Sequence, residues 1–215
     1  MKSKFEAGSV LARFCSDDVR SIDILGRILE YESWGVSWKA DPRHRKMIID
    51  HFGFNEKTKA VTVTGVKEEP SEGGETLLSP VEATQFRAVA ARFNYLAADC
   101  PNLQFATKEI CREMSGPTMR SQEKMKRLAR YLMHIHEVKL YVRWQDEISD
   151  LCVAVDSDWA GCRKTRKSTS GGCMMIGRHL LRSWSSTQPS IAMSSAEAEY
   201  YALVEGPLVV SDFRA

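Results

Sequence analysis

The chain has 215 residues, of which 43% are hydrophobic and 27% are charged. These proportions are typical of a globular protein and exclude a fibrous or intrinsically disordered chain. The formal net charge of +2 indicates no particular class of partner. No apolar run approaches the length of a membrane span, so we expect a soluble protein without a membrane partner.

Cysteine usage indicates the compartment. The six cysteines form no C-x-x-C pair and no ligand spacing with histidine, which excludes the common zinc-binding patterns. A chain of this size also needs no disulfide to stabilise its core. We therefore expect free thiols and an intracellular protein, in the cytoplasm or the nucleus.

The first elements in chain order form an ambiguous segment. In IDILGRILEYESWGVSWKA (22–40) some apolar residues fit a helix, but ESWG is a turn signal and VSWKA alternates like a strand. We favour a hairpin here. A clearer helix follows, because Asp41 is a capping residue, Pro42 suits the first turn and Gly53 ends the apolar stripe. The Gly- and Glu-rich segment 64–78 is predicted to be an exposed linker.

Three helices, separate from the sheet that follows, are predicted between residues 79 and 137. SPVE at 79–82 is a capping box with proline in the first helical position. Pro101 starts the second helix, and the third runs from about Ser121 to Ile135. The outer face of the third helix carries four cations: Lys124, Lys126, Arg127 and Arg130. Such a face is more often simply solvated, and contact with a nucleic-acid backbone is the alternative.

The last part of the chain is predicted to form strands and one helix. VKLYVRW and DLCVAVDSDWAG are predicted strands, and GGCMMIGRHLLRSWSSTQ is a predicted hairpin that turns near Gly177. A helix starts at Ser194 or Ser195, and we expect its residues Ala196, Tyr200 and Leu203 to face the sheet. The predicted fold class is α+β, a helical segment followed by a mixed sheet with one packed helix.

Two carboxylates, Asp156 and Asp158, interrupt a segment that otherwise has the pattern of a strand. A buried strand has little reason to hold two acids. A strand Asp and a Glu in the first turn of a packed helix, here Glu199, can instead share a cation such as Mg²⁺, since hard cations prefer oxygen ligands. The spacing alone is weak evidence, because exposed acids on helices are common.

A local excess of positive charge follows these acids. Between Asp158 and Glu197 there is no acidic residue, and the cations in that interval are Arg163, Lys164, Arg166, Lys167, Arg178 and Arg182. Such a stretch indicates either an anionic partner or a solvated loop, and the two interpretations remain equally open.

Motifs over residues 153–204 resemble those of a known family. VDSDWAGCRKTRKSTSGG followed by RSWSSTQPSIAMSSAEAEYYAL resembles the ribonuclease H domain of copia-type LTR retrotransposon polyproteins. Upstream, YLAADCPNLQFATKEICREMSGPTMRSQEKMKRLARYLMH resembles the segment that joins reverse transcriptase to ribonuclease H, and ADPRHRKMIIDHFGF resembles the late palm region. The resemblance implies a late palm-like segment at 1–63, the linker, a helical thumb or connection segment at 79–137 and an incomplete ribonuclease H-like domain at 138–215.

The resemblance also implies site residues and partners. Asp156 and Glu199 would be the catalytic, metal-binding acids, with weakly bound Mg²⁺ or Mn²⁺ as cofactor. Asp158 and Glu197 would be structural or would lie in the outer shell of the site. The candidate nucleic-acid contacts are Arg166, Lys167, Ser168, Thr169, Lys124 and Arg127. Alternatively, the two hydroxyl residues simply satisfy the backbone of a turn. The implied partners are an RNA–DNA hybrid or other nucleic acid and the remainder of the polyprotein.

The departures from the family pattern concern the catalytic acids. The third ribonuclease H acid, in a CDN segment, and the fourth are expected beyond Ala215, and the Asp-Asp pair of reverse transcriptase is expected before Met1. The ancestral activity is hydrolysis of RNA in RNA–DNA hybrids during reverse transcription. We expect it to be weak or absent here, and a non-catalytic nucleic-acid-binding or merely folded remnant is the alternative.

Overall fold

A computed structural model describes residues 20–65, 75–135, 137–146 and 150–214, with side chains described as far as Ser211. Helices and strands both occur, which confirms the predicted α+β class. In chain order the elements are β1 (Ser21–Ile24), β2 (Arg27–Glu32), β3 (Gly35–Lys39), α1 (Pro42–His51), α2 (Pro80–Asp99), α3 (Pro101–Arg112), α4 (Met119–His134), β4 (Lys139–Arg143), β5 (Leu151–Asp158), β6 (Thr169–Ile176), β7 (His179–Thr187) and α5 (Ser195–Arg214).

The first sheet has the antiparallel order β1-β2-β3-β4. The favoured hairpin is confirmed, since β2 and β3 pair directly across the ESWG turn. β4 pairs with β3, placing Trp38 opposite Leu140. The sequence pattern predicted this strand in the final sheet, and that prediction is wrong. The apolar ladder with β3 and a backbone hydrogen bond from Ala40 to Val138 (3.0 Å) hold it in the first sheet.

The helices begin where the capping residues predict. Asp41 accepts a hydrogen bond from the backbone N–H of Arg43 (2.9 Å) at the start of α1. The Ser79 and Glu82 capping box is present at the start of α2. Buried apolar side chains from α1 to α4 form one core, of which the largest are Ile48, Phe93, Leu96, Leu103, Ile110, Met125, Leu128 and Leu132. Burial of these side chains is the main source of the stability of this part of the chain.

The second sheet has the antiparallel order β5-β6-β7, with the predicted hairpin turning at Gly177. Its described strands are antiparallel throughout, in contrast to the mixed sheet that was expected. Helix α5 packs against one face of β5. An ideal Cβ on Gly206 would lie 3.2 Å from Val155 Cγ1 and 3.3 Å from Val153 Cγ1, so the helix approaches these valines closely.

The close approach of α5 selects small residues for its sheet-facing side. Ala198 and Ala202 are fully buried there. Ala196, Tyr200 and Leu203 were expected on this side, but Ala196 is exposed, and Tyr200 and Leu203 are 65% and 59% exposed. That expectation is wrong because a large side chain does not fit where the helix backbone lies next to the valines of β5.

The predicted linker is described only at its two ends, since residues 66–74 lie outside the described residues. Its last residues are docked, because Leu77 forms an isolated β-bridge with Thr118 and Leu78 is buried. The helices are also not all separate from the final sheet. Helix α3 contacts it, with a hydrogen bond from Gln104 Nε2 to the Ser183 carbonyl (3.1 Å).

The described cysteines Cys100, Cys111, Cys152, Cys162 and Cys173 are free thiols, as predicted, and Cys15 lies outside the described residues. Within the described ranges, no helix is long and apolar enough to cross a membrane.

Candidate nucleic-acid interface and metal site

The Asp158 carboxylate closes the loop that joins β5 to β6. Asp158 lies opposite Thr169 in the strand register and accepts a hydrogen bond from its backbone N–H. The carboxylate also packs over Gly161, where an ideal Cβ would lie 1.9 Å from Asp158 Oδ2. A larger residue at position 161 would displace this carboxylate, so loop closure accounts for the Asp and Gly of the DWAG motif. The Asp158 carboxylate therefore contributes to closing this loop.

The loop residues are held by backbone bonds and by one buried hydroxyl. Ser168 is fully buried, and its Oγ accepts a hydrogen bond from the backbone N–H of Ala160 (2.9 Å). The Arg166 N–H donates to the Cys162 carbonyl (2.7 Å), with Arg166 itself in the left-handed conformation at φ 57°. Ser168 thus satisfies the turn's backbone, which is the alternative that the sequence left open for it.

The thiol of Cys162 links this loop to helix α3. Its Sγ accepts hydrogen bonds from Arg112 Nη2 (3.2 Å) on α3 and from the Thr165 N–H (3.5 Å). Burial raises the pKa of the thiol, but the hydrogen bonds from Thr165 and Arg112 outweigh it and lower the pKa to about 7. The thiol is thus partly ionised at neutral pH, and its hydrogen bond from Arg112 ties the loop to α3.

The cations of the basic loop, residues 162–167, lie at the end of the sheet that carries the two strand acids. Arg163, Lys164 and Arg166 are exposed and Lys167 is half-buried. The loop leaves β5 after Asp158 and returns to β6 at Thr169. Positive charge is therefore exposed within a few residues of the two strand acids.

Asp156 lies on the opposite face of β5 from α5. Val153 and Val155 face α5, and side chains alternate along a strand. Asp156 is exposed and, with Gln104 and Phe105 of α3, lines a cavity on that other face. The Asp156 carboxylate is thus accessible through the cavity between β5 and α3.

The acids of α5 have different environments. Glu197 accepts hydrogen bonds from the Met193 N–H (2.7 Å) and the Tyr201 hydroxyl (2.9 Å), so it caps its own helix. Glu199 lies in the first turn and is half-buried. Among the described residues no group of three or more His, Cys, Asp or Glu side chains could hold a metal ion. A cation shared by Asp156 and Glu199 stays a prediction.

The basic face of α4 is partly occupied by the protein itself. Lys124 Nζ forms an ion pair with Glu113 Oε1 (3.1 Å). The Nε atom of Arg127 is buried and has no hydrogen-bond partner among the described residues. Their role as nucleic-acid contacts stays a prediction, and the structure places them on a different element from the basic loop.

Helix α3 contributes contacts that the sequence analysis did not assign to the site. Gln104 bonds to Ser183, Lys108 Nζ donates to Thr169 Oγ1 (2.8 Å), and Arg112 donates to Cys162. These three residues are spaced i, i+4, i+8 and therefore form one stripe along the helix. The spacing can be recognised in the sequence, but the sequence does not show which surface the stripe contacts.

The chain is similar to several known proteins. It is 34% identical over 123 residues to the uncharacterized mitochondrial protein AtMg00810 of Arabidopsis thaliana, covering 57% of this chain and 50% of that protein. It is 32% identical over 120 residues, 55% of this chain, to each of two retrovirus-related Pol polyproteins of Arabidopsis thaliana, from transposons RE1 and RE2. These relatives support the interpretation of the chain as a fragment of a copia-type retrotransposon Pol polyprotein. No protein-family model and no solved structure matches it significantly.

The match to Pol sequences covers only part of the relatives. The chain spans about half the length of the mitochondrial protein and 8% of each Pol polyprotein. The resemblance seen in the sequence motifs is thereby confirmed at the level of the family. The domain boundaries within this Pol chain and the roles of its acids stay predictions.

Proposed function

We propose that this Pol chain binds the sugar-phosphate backbone of nucleic acid, an RNA–DNA hybrid in particular, through the basic loop. The observation that carries the proposal is the position of the loop, between Asp158 at the end of β5 and Thr169 at the start of β6. A strand held by its cations would pass the accessible carboxylate of Asp156. Phosphate contacts hold a strand without reading bases, so the binding would be sequence-independent and salt-sensitive.

The kinship with retrovirus-related Pol polyproteins supports a nucleic-acid partner and suggests the remainder of such a polyprotein as a protein partner. Hybrids are recognised by their shape and by their 2′-hydroxyl and phosphate groups. A loop of cations without a base-reading motif suits that mode of recognition.

We further propose that Mg²⁺ or Mn²⁺ is bound only weakly at Asp156, because α5, which carries the other predicted ligand Glu199, packs on the opposite face of β5, and that hydrolysis of the RNA strand is weak or absent. Hard cations need several oxygen ligands at once. The described part of the chain contains no cluster of three candidate ligands, and Asp156 and α5 lie on opposite faces of β5. On this proposal the chain holds the strand but does not cut it efficiently.

The test is a hybrid-binding and cleavage assay on the same samples. A labelled RNA–DNA hybrid is incubated with the chain and with the Asp156→Asn variant, in Mg²⁺ and in Mn²⁺. We expect both proteins to bind equally within about twofold and to leave the hybrid largely intact. Robust cleavage that Asp156→Asn abolishes would contradict the weak-hydrolysis proposal, and absence of binding would contradict the proposed partner.

A further inference from the structure

A cavity of about 380 Å³ lies between α3 and the second sheet. Pro101, Gln104 and Phe105 form its helix side, and residues around Asp156 form its sheet side. The volume lies within the roughly 300–1,000 Å³ of typical small-molecule sites. The cavity can therefore accept an organic group and not only an ion.

The cavity is held open by fixed contacts on both sides. The hydrogen bonds of Gln104 to Ser183 and of Lys108 to Thr169 attach α3 to β7 and β6 at separate points. The contact of Arg112 with Cys162 attaches the end of the helix to the basic loop. A site that is already formed loses little conformational entropy on binding.

Two neighbouring glycines in the cavity wall have different reasons to be glycine. An ideal Cβ on Gly172 would lie 2.2 Å from the Trp184 ring, so packing requires that glycine. An ideal Cβ on Gly171 would meet only the Trp184 carbonyl oxygen, at 3.9 Å. Gly171 also lies opposite Asp156 in the strand register. Packing therefore does not require glycine at position 171. The absence of a side chain there keeps the cavity open.

The chemistry of the walls combines an accessible ring with polar groups. Phe105 is 50% exposed, and the Lys108 ammonium lies 4.7 Å from its ring centroid. Opposite the ring, the exposed Asp156 lines the cavity together with Ser185, which shares its face of the sheet. A planar group with hydrogen-bond donors would stack on the ring and donate to these oxygen atoms.

Charge decides the orientation of such a group. The carboxylates of Asp156 and Asp158 line the cavity, so a phosphate inside it would be repelled. Lys108 and the basic loop lie at its edge, because Lys108 bonds to Thr169, the residue at which the loop ends. The nucleoside portion of a nucleotide therefore fits the interior and its phosphate fits the rim.

We propose that this cavity binds one nucleoside unit, with the base stacked on Phe105 and the phosphate directed to Lys108 and the basic loop. The proposal rests on the proposed nucleic-acid function and adds a specific pocket beside Asp156. The nucleoside could belong to a strand or to a free nucleotide, since both present the same base and sugar.

The test uses the full chain with variants on both walls of the cavity. Phe105→Ala removes the stacking ring, and Gly171→Val adds volume to the cavity at a position where an ideal Cβ has no close contact. Gly65→Val is the matched control, because Gly65 lies outside the cavity and its added Cβ also meets nothing within 4 Å. Tyr200→Ala is a control for loss of an exposed ring. Calorimetry measures binding of a single-stranded hexaribonucleotide and, separately, of adenosine 5′-monophosphate.

We expect Phe105→Ala to weaken binding about tenfold or more, as for the loss of one base–aromatic stack. Gly171→Val should weaken it at least as much, and both controls should bind like the unmodified chain. If these losses of affinity occur with the hexaribonucleotide, the nucleoside belongs to a strand. If they occur with adenosine 5′-monophosphate, it belongs to a free nucleotide. If Gly171→Val fails to fold, as judged by circular dichroism, the exposed Phe105 still decides the outcome.

The failure of this proposal can be separated from failure of the proposed function. If Phe105→Ala and folded Gly171→Val bind both ligands like the unmodified chain while basic-loop variants lose affinity for a hybrid, only the nucleoside pocket is overturned. If the unmodified chain binds neither ligand and no hybrid, the proposed function is overturned together with the pocket.

Discussion

Asp158 and Thr169 face each other across β5 and β6, and the Asp158 carboxylate accepts the backbone N–H of Thr169. This contact joins the two ends of the loop that carries Arg163, Lys164, Arg166 and Lys167. The acid that follows Asp156 by two residues thus shapes the basic loop, while Asp156 itself remains accessible. The two acids of the VDSD segment thus have different environments.

The first prediction compares these two acids by substitution. Asp158→Ala should lower the free energy of unfolding by about 1 kcal/mol, because a backbone N–H loses its charged acceptor and the loop loses its closure. Asp156→Ala, at an exposed position, should change it by less than about 0.5 kcal/mol. Urea denaturation of both variants measures the difference. Equal destabilisation by the two substitutions would show that Asp158 does not close the loop.

The second prediction concerns the reactivity of Cys162. Because its pKa is lowered to about 7, its rate of alkylation by iodoacetamide should rise with pH and reach half its maximum near pH 7. Cys100 and Cys111 should react more slowly, since burial raises the pKa of both thiols. Mass spectrometry of the modified peptides separates the sites.

Arg112→Ala is the matched variant for this prediction. It removes the Arg112 hydrogen bond to Cys162 Sγ, so the midpoint of the alkylation profile should move to higher pH. A midpoint that stays near 7 in this variant would show that Arg112 does not stabilise the thiolate.

The third prediction concerns the capping box of α2 and its pH dependence. Hydrogen bonds from the side chain and backbone of Ser79 lower the pKa of Glu82. A depressed carboxyl pKa adds stability above the unfolded-state pKa, and this is lost as the pH falls through the folded-state value. The stability difference between the unmodified chain and Glu82→Gln should therefore be present at neutral pH and vanish in acid. Thermal melts from pH 7 to pH 3 measure it, and a difference that persists unchanged at pH 3 would contradict the charged cap.

Ser79→Ala should lower the free energy of unfolding by about 1 kcal/mol at neutral pH, because the first turn of α2 loses its cap. Thr84→Ala, on the exposed side of the same helix, is the control and should have a smaller effect. An equal effect of the two substitutions would show that the cap is not formed.

Local signals in the sequence predicted most of the elements. Asp41, Ser79 and Gly177 mark two helix starts and one turn where the structure has them. These signals act over three or four residues, so they need no knowledge of the rest of the fold.

Long-range placement could not be predicted in the same way. The strand 139–143 has a strand pattern, but alternation does not show which sheet it joins, and it pairs with β3, a hundred residues earlier. The sheet-facing side of α5 was assigned to Tyr200 and Leu203 because large apolar residues usually face a core. The close valines of β5 instead require Ala198 and Ala202.

For the candidate site, the sequence indicated the acids and the basic loop but not helix α3. The stripe of Gln104, Lys108 and Arg112 contains ordinary surface residues, and only the packing of α3 on the second sheet turns it toward Thr169 and Cys162. The acids can be recognised from the sequence because they occur in the order of a known motif. The contacts of the α3 stripe can be recognised only once the packing of α3 on the second sheet is known.

The most direct test of the account is the salt dependence of hybrid affinity in the unmodified chain and in an Arg166→Ala, Lys167→Ala double variant. Fluorescence anisotropy gives the dissociation constant of an RNA–DNA hybrid from about 50 to 200 mM salt. Each phosphate contact contributes about one unit to the slope of log affinity against log salt, so the double variant should lose about two units of slope and bind hybrids of unrelated sequence equally weakly. An unchanged slope and affinity in the double variant would contradict the claim that the basic loop holds the nucleic-acid strand.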